Sequence, residues 1–142
     1  MRIVVVNGPN LNLLGKREPG LYGARALDEI NESLKGLAND HGMELDCVQS
    51  NIEGELVNAL QQAGRDADGV ILNAAAYTHT SVAVRDAVAA IRIPVVEVHL
   101  TNTQAREDFR KTSLLADVCS GSIAGFGEQS YVLALLWFTL KA

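Results

Sequence analysis

Apolar residues in this chain fall into two rhythms: short β-branched runs, and longer stretches that repeat every three and four positions. Residues 2–7 (RIVVVN) form a β-branched run closed by Gly8-Pro9, the pattern of a strand buried on both faces. Leu27, Ile30, Leu34, Leu37 and Ala38 recur at helical spacing, with Asp28 and Glu29 in the first turn and Gly42 placed to cap the far end. Residues 43–48 read as a second strand. Ser50 and Glu53 then have the spacing of a capping box, opening a helix that runs to about Gly64. Residues 69–73 predict a third strand, 81–91 a helix with apolar Val82, Val84, Val88 and Ile91, and 94–99 a fourth strand. A short helix is expected over 104–110 and a short fifth strand within 117–125. Residues 129–140 close the chain as a helix that is apolar nearly all round.

Strands alternating with helices predict an α/β domain, a flavodoxin-like doubly wound five-stranded parallel sheet of order 2-1-3-4-5 with helices on both faces. Ligands in such sheets bind at the carboxyl ends of the strands, beside the switch point. The polar residues gather there in this sequence. Asn7, Gly8 and Asn10 follow strand one, Asn73 ends strand three with Thr78, His79 and Thr80 beyond it, and Glu97 and His99 end strand four.

The length of 142 residues suits a single domain, 1–142, and the 48% apolar and 20% charged content is that of an ordinary globular chain. A net charge of -5 without a basic run argues against nucleic acid as a partner. Too few apolar residues precede Asn7-Gly8 for a secretory signal, and the most apolar stretch, 131–140, is too short to span a bilayer. A cytoplasmic protein without membrane attachment is expected. Cys47 and Cys119 fall on opposite edges of the predicted sheet with no Cys or His at ligand spacing, so they read as reduced, buried side chains.

The loop over residues 7–23 (NGPNLNLLGKREPGLYG) is long for a strand-to-helix connection, which points to a functional lid. It lacks the spacing of a dinucleotide fingerprint, and Gly8 to Gly15-Lys16 is too wide for a P-loop. A phosphoryl receiver needs Asp where Asn7 and Asn73 stand, and an FMN module needs a Ser/Thr-Gly phosphate loop that is absent.

Glu97 and His99, two apart on a strand, point the same way, and a carboxylate beside an imidazole holds its tautomer and favours its charged form. The pair reads as a general acid, ahead of a structural pair and of a metal site with His79 as third ligand, since no further carboxylate or Cys accompanies it. Tyr22 acts as a base only as a phenolate, which Arg17, five residues upstream, is placed to stabilise; alternatively its ring merely anchors the loop. Asn10 and Asn73 either bond turn backbone or touch a ligand. Thr78, Thr80 and Ser81 read as helix caps, and His41 as a surface residue. By spacing alone, Arg106 and Arg110 are more simply paired with Glu107 or Asp86 than with a ligand. Gly121, Gly125 and Gly127 read as turn or packing positions.

Taken together, NGPNLNLLGKREPGLYG, SNIEGELVNAL, NAAAYTHTSVAVRDA, EVHLTNTQAREDFR and GSIAGFGEQSYVLAL resemble the type II 3-dehydroquinate dehydratases over nearly the whole chain, in order and at the expected intervals. The resemblance implies loss of water from 3-dehydroquinate to give 3-dehydroshikimate, by anti elimination through an enolate, with no cofactor or metal. Tyr22 matches the general base and Arg17 the residue that stabilises its phenolate. Asn10 matches the group that helps hold the enolate oxygen, and His99 the acid, oriented by Glu97. Asn73 with the backbone of Leu100 and Thr101 matches the carboxylate site, and His79 and Arg110 the contacts with ring hydroxyls. Asp86 matches a residue reaching the site from a neighbouring subunit, which implies a homo-oligomer, a dodecamer built from trimers. Thr101 departs from a common Ser, and Lys111-Thr112 from frequent His pairs.

Two rival readings are a Schiff-base dehydratase and a non-catalytic small-ligand-binding module of the same fold. The first needs a desolvated Lys at a strand end, whereas Lys16, Lys35, Lys111 and Lys141 fall in loop, helical or terminal positions. The second is disfavoured by the intact Tyr22, Arg17 and His99.

Overall fold

The computed structural model describes residues 1–141. Five parallel strands, β1 (Arg2–Asn7), β2 (Glu44–Gln49), β3 (Gly69–Asn73), β4 (Val95–His99) and β5 (Gly121–Ala124), form one sheet of order β2-β1-β3-β4-β5. The connections carry a one-turn helix α1 (Pro19–Tyr22), then α2 (Leu27–Asp40), α3 (Glu53–Asp66) and α4 (Val82–Ala90), and α5 (Gln129–Thr139) closes the chain. The expected order and strand positions are observed, with the fifth strand shorter than the region assigned to it. The helices found also include the one-turn α1 inside the long loop, which spacing did not reveal.

Alternation along β1 divides the core. Ile3 and Val5 face Leu27, Ile30 and Leu34 of α2 and Tyr131, Leu135 and Phe138 of α5, while Val4 and Val6 face Leu56 and Leu60 of α3 and Val84 and Val88 of α4. Both faces are therefore covered, and the strand ends are left for polar groups. Among the described residues, no helix is long and apolar enough to cross a membrane. Cys47 lies in edge strand β2 and Cys119 just before the opposite edge strand β5, and both are free thiols. Burial pushes the Cys47 thiol up to about 11 and the Cys119 thiol up to about 12, so neither is a ready nucleophile.

Two local expectations are corrected. Ser50 does not cap α3: its hydroxyl bonds Glu55 rather than Glu53 and accepts from the Ile52 amide at 3.0 Å, so it closes the turn before the helix. Residues 104–110 form two 3-10 turns, Thr103–Ala105 and Asp108–Arg110, broken where Arg106 adopts an extended backbone. Arg106, at that break, bonds Tyr22 through its side chain. Ser81 does cap α4, its hydroxyl accepting from the Val84 amide at 2.9 Å.

Candidate active site

The carboxyl ends of β1, β3 and β4 surround a cleft of about 240 Å³. It is lined by Asn10, Arg17 and Tyr22 from the long loop, Asn73 and His79 from β3 and the turn after it, and His99, Leu100, Thr101, Arg106 and Arg110 from β4 and beyond. Of the site residues expected from sequence, Glu97 lies behind His99 and Asp86 does not line the cleft of its own chain; it is exposed on α4.

The loop approaches the cleft because it is pinned from behind. Leu11 and Leu14 insert into the core, and Arg25 bonds Glu128 at 2.6 Å and the Ser33 hydroxyl at 2.7 Å. At its start, the Gly8 amide donates to the Asn73 carbonyl at 2.7 Å, and a Cβ on Gly8 would meet the Ala74 carbonyl oxygen at 2.5 Å. Only glycine permits that approach. Asn10, in left-handed backbone with φ of 68°, donates its amide to Asn51 Oδ1 at 2.9 Å and makes no side-chain cap, so its carboxamide is not consumed by the turn.

Tyr22 stands between two guanidinium groups. Arg17 lies over its ring at 4.7 Å, and Arg106 lies 5.3 Å from the ring centre and donates from Nη2 to the phenol oxygen at 2.9 Å. Two cationic groups therefore contact the one phenol. Arg106 also donates to Thr101 Oγ1 at 3.3 Å. Its expected pairing with Glu107 survives only at 3.8 Å; Arg110 takes the closer bond to Glu107, 3.0 Å, and still lines the cleft. Sequence spacing carried no signal for the Arg106 to Tyr22 bond, which joins residues 84 positions apart.

Glu97 is 1% exposed and its carboxylate accepts three bonds: from His99 Nε2 at 2.8 Å, Ser113 at 2.7 Å and Ser122 at 2.9 Å. Burial alone would push Glu97 up, but the His99 hydrogen bond and charge with the two serine hydroxyls outweigh it and hold the group below the ordinary glutamate value of 4.5. The carboxylate in turn fixes the orientation of the His99 ring. His79 donates from Nδ1 to the Thr112 carbonyl at 2.8 Å, which sets its ring nearly parallel to His99 with centroids 6.4 Å apart. Thr112 therefore serves through its backbone carbonyl. Among the described residues, no three His, Cys, Asp or Glu side chains cluster as metal ligands.

Ser113 had no sequence signal, and Ser122 none beyond being a hydroxyl in the glycine- and serine-rich stretch 120–125. Because Glu97 titrates lower folded than unfolded, its stabilising contribution is complete above about pH 4.5 and is lost as pH falls through the folded value. Ser113→Ala removes one donor to that anion and the acceptor for the Leu115 and Ala116 amides, each at 3.1 Å. It is expected to cost roughly 1–3 kcal/mol and to move acid unfolding to higher pH, read by circular dichroism across a pH series. An unchanged acid midpoint would remove Ser113 from the support of Glu97.

Asn73, 3% exposed, uses Oδ1 to accept from the Ala75 amide at 3.1 Å, as a turn asparagine does. Its Nδ2 donates to the buried Tyr131 hydroxyl at 2.9 Å. Sequence reasoning passed over Tyr131, although a phenol one turn into an otherwise apolar helix was the available signal.

The chain and its fold are similar to known proteins over nearly their whole length. The family model for dehydroquinase class II matches residues 1–139. A 3-dehydroquinate dehydratase of Pelotomaculum thermopropionicum is 57% identical over 135 residues, covering 95% of this chain and 94% of that one. One from Campylobacter jejuni is 53% identical over 136 residues, covering 96% and 86%. The crystal structure of a type II dehydroquinase from Butyrivibrio crossotus superposes with a TM-score of 0.95 at 40% identity, covering 96% of each chain. With the family model spanning nearly every residue and the same fold recovered in a solved relative, the chain belongs to the class II dehydroquinase family.

Proposed function

We propose that this chain, a type II 3-dehydroquinate dehydratase by family, converts 3-dehydroquinate to 3-dehydroshikimate by anti elimination through an enolate, as a single catalytic domain over residues 1–142. The observation that carries the reading is that two groups of different chemistry line one cleft. Tyr22, bonded to Arg106 and stacked on Arg17, faces the space shared with His99, whose imidazole is tied to a buried carboxylate.

In this reading the Tyr22 phenolate takes a proton from C2, and the electron pair moves to the neighbouring ketone to form an enolate whose oxygen Asn10 helps hold. The enolate then collapses, the C1–O bond breaks, and the departing hydroxyl takes a proton from the His99 imidazolium and leaves as water. Tyr22 ends as a phenol and His99 as a neutral imidazole. Transfer of the gained proton to solvent and uptake of one by His99 restore both. The ketone supplies the acidity of C2, so the chemistry asks for no cofactor or metal.

The substrate carboxylate is assigned to Asn73 with Leu100 and Thr101, and the ring hydroxyls to His79 and Arg110. Their position around one cleft supports the assignment. Asp86 is assigned to the cleft of a neighbouring subunit, within a dodecamer built from trimers in the cytoplasm. Its exposure on α4 is compatible with that role, as is an apolar face carrying exposed Phe126, Leu133 and Leu140.

The test is direct. Purified protein mixed with 3-dehydroquinate is expected to generate the absorbance of a conjugated enone, undiminished by prior chelator treatment. Folded protein that binds the substrate without that signal would be a ligand-binding module, and the reading would fail.

A further inference from the structure

Beneath the cleft lies a chain of three buried polar side chains, of which the reaction uses only Asn73 directly. Asn7 and Asn73 are register partners at the ends of β1 and β3, and Tyr131 of α5 descends between them, fully buried. The Tyr131 hydroxyl donates to Asn7 Oδ1 at 2.5 Å and accepts from Asn73 Nδ2 at 2.9 Å.

The order of donors in this chain is determined, and it sets the polarity of the Asn73 amide. Asn73 Oδ1 is claimed by the Ala75 amide, so its Nδ2 must face the phenol. A hydroxyl has one proton, and Asn7 Oδ1 takes it, so the phenol offers Asn73 a lone pair only. The second Nδ2 hydrogen of Asn73 is then left for the cleft that Asn73 lines. Burial raises the Tyr131 phenol well above its ordinary range, against the smaller opposing effect of the Asn73 bond, so the hydroxyl keeps its proton. Asn7 Nδ2 has no protein partner among the described residues, whereas its Oδ1 accepts from Tyr131. Its acceptor is what the arrangement uses.

We infer that Tyr131, directed by Asn7, is a positioning residue that holds the Asn73 amide with N–H towards the cleft, preparing it for a carboxylate rather than for a donor. This rests on the reading above that Asn73 receives the substrate carboxylate. The reacting atoms are served by Tyr22 and His99, so disturbing the relay should weaken carboxylate binding with little effect on the chemical step.

The experiment compares Tyr131→Phe, Asn7→Leu and Asn73→Ala in the full chain, each checked for native circular dichroism. Kinetics are measured with 3-dehydroquinate, and calorimetry gives the affinities of quinate and of its neutral carboxamide. Tyr131→Phe is expected to raise KM by about tenfold, the loss of a hydrogen bond to a charged group, with kcat within about threefold. The same reasoning predicts quinate weakened by about tenfold and the carboxamide by less than about twofold. Asn7→Leu keeps both partners but removes the acceptor that directs the phenol, and should show the same selectivity at about threefold or more. It also keeps the inference testable should Tyr131→Phe fail to fold. If Asn73→Ala shows the selective loss while folded Tyr131→Phe or Asn7→Leu does not, the inference is overturned and the carboxylate assignment stands. If Asn73→Ala shows no selective loss, both fall. A loss that is equal for the two ligands, or that falls on kcat, also overturns the inference, because a merely structural role would act that way.

Discussion

A Tyr22→Phe variant is expected to lose turnover by roughly three orders of magnitude while binding 3-dehydroquinate nearly as tightly as the native chain, since a positioned general base contributes about 10²–10⁴-fold. The substitution is conservative for everything except the proton transfer. The phenylalanine ring still fills the space beside Arg17, and Leu11 and Leu14 still pin the loop. What disappears is the oxygen that accepts from Arg106 at 2.9 Å. Steady-state kcat with calorimetric binding separates the two effects. Turnover within tenfold of native would remove Tyr22 as the base and return it to the role of a loop anchor.

The second large effect is expected from His99→Ala, and it separates the two halves of the reaction. Dehydration should fall by about 10²–10⁴-fold, because the departing hydroxyl loses its proton donor. In the proposed mechanism proton removal at C2 belongs to Tyr22 and not to His99, so exchange of the C2 hydrogen with solvent deuterium should persist, detected by proton NMR of recovered 3-dehydroquinate. Persistent exchange without water loss is the signature of an enolate that forms and returns. Exchange that falls in parallel with dehydration would instead argue for one concerted step, and the division of roles would have to be withdrawn. The variant also leaves the Glu97 carboxylate with the Ser113 and Ser122 donors, so a buried anion without partners is not created.

Much of this site was legible from local spacing. Glu97 and His99, alternate residues of one strand, share a face by the geometry of a strand, and the structure joins them at 2.8 Å. Arg17 and Tyr22, five residues apart in one loop, meet as a cation over a ring at 4.7 Å. The residues that spacing misassigned or passed over are reached across the fold. Arg106 read as an ion-pair partner for Glu107 or Asp86, yet its shortest side-chain bond is to Tyr22, and the helix expected over 104–110 is broken at Arg106. Ser113 and Ser122 converge on Glu97 from 16 and 25 residues downstream, and Tyr131 reaches Asn7 across 124. Hydroxyls and guanidiniums carry no periodicity of their own, so nothing local marks their partners.

The sequence by itself determined the order of elements and the sheet topology, because buried strands and amphipathic helices write their faces into the hydrophobic pattern and right-handed crossovers leave few ways to connect them. It also determined that Asn7, Asn73, Glu97 and His99 end neighbouring strands, since register follows from that pattern. Only the tertiary structure decided which donors meet which acceptors: the phenol of Tyr22 under Arg106, the carboxylate of Glu97 under two serines, and the amide of Asn73 under Tyr131. A hydrogen bond is settled within a few tenths of an ångström and by direction, and those quantities exist only once loops far apart in the chain have packed against one another.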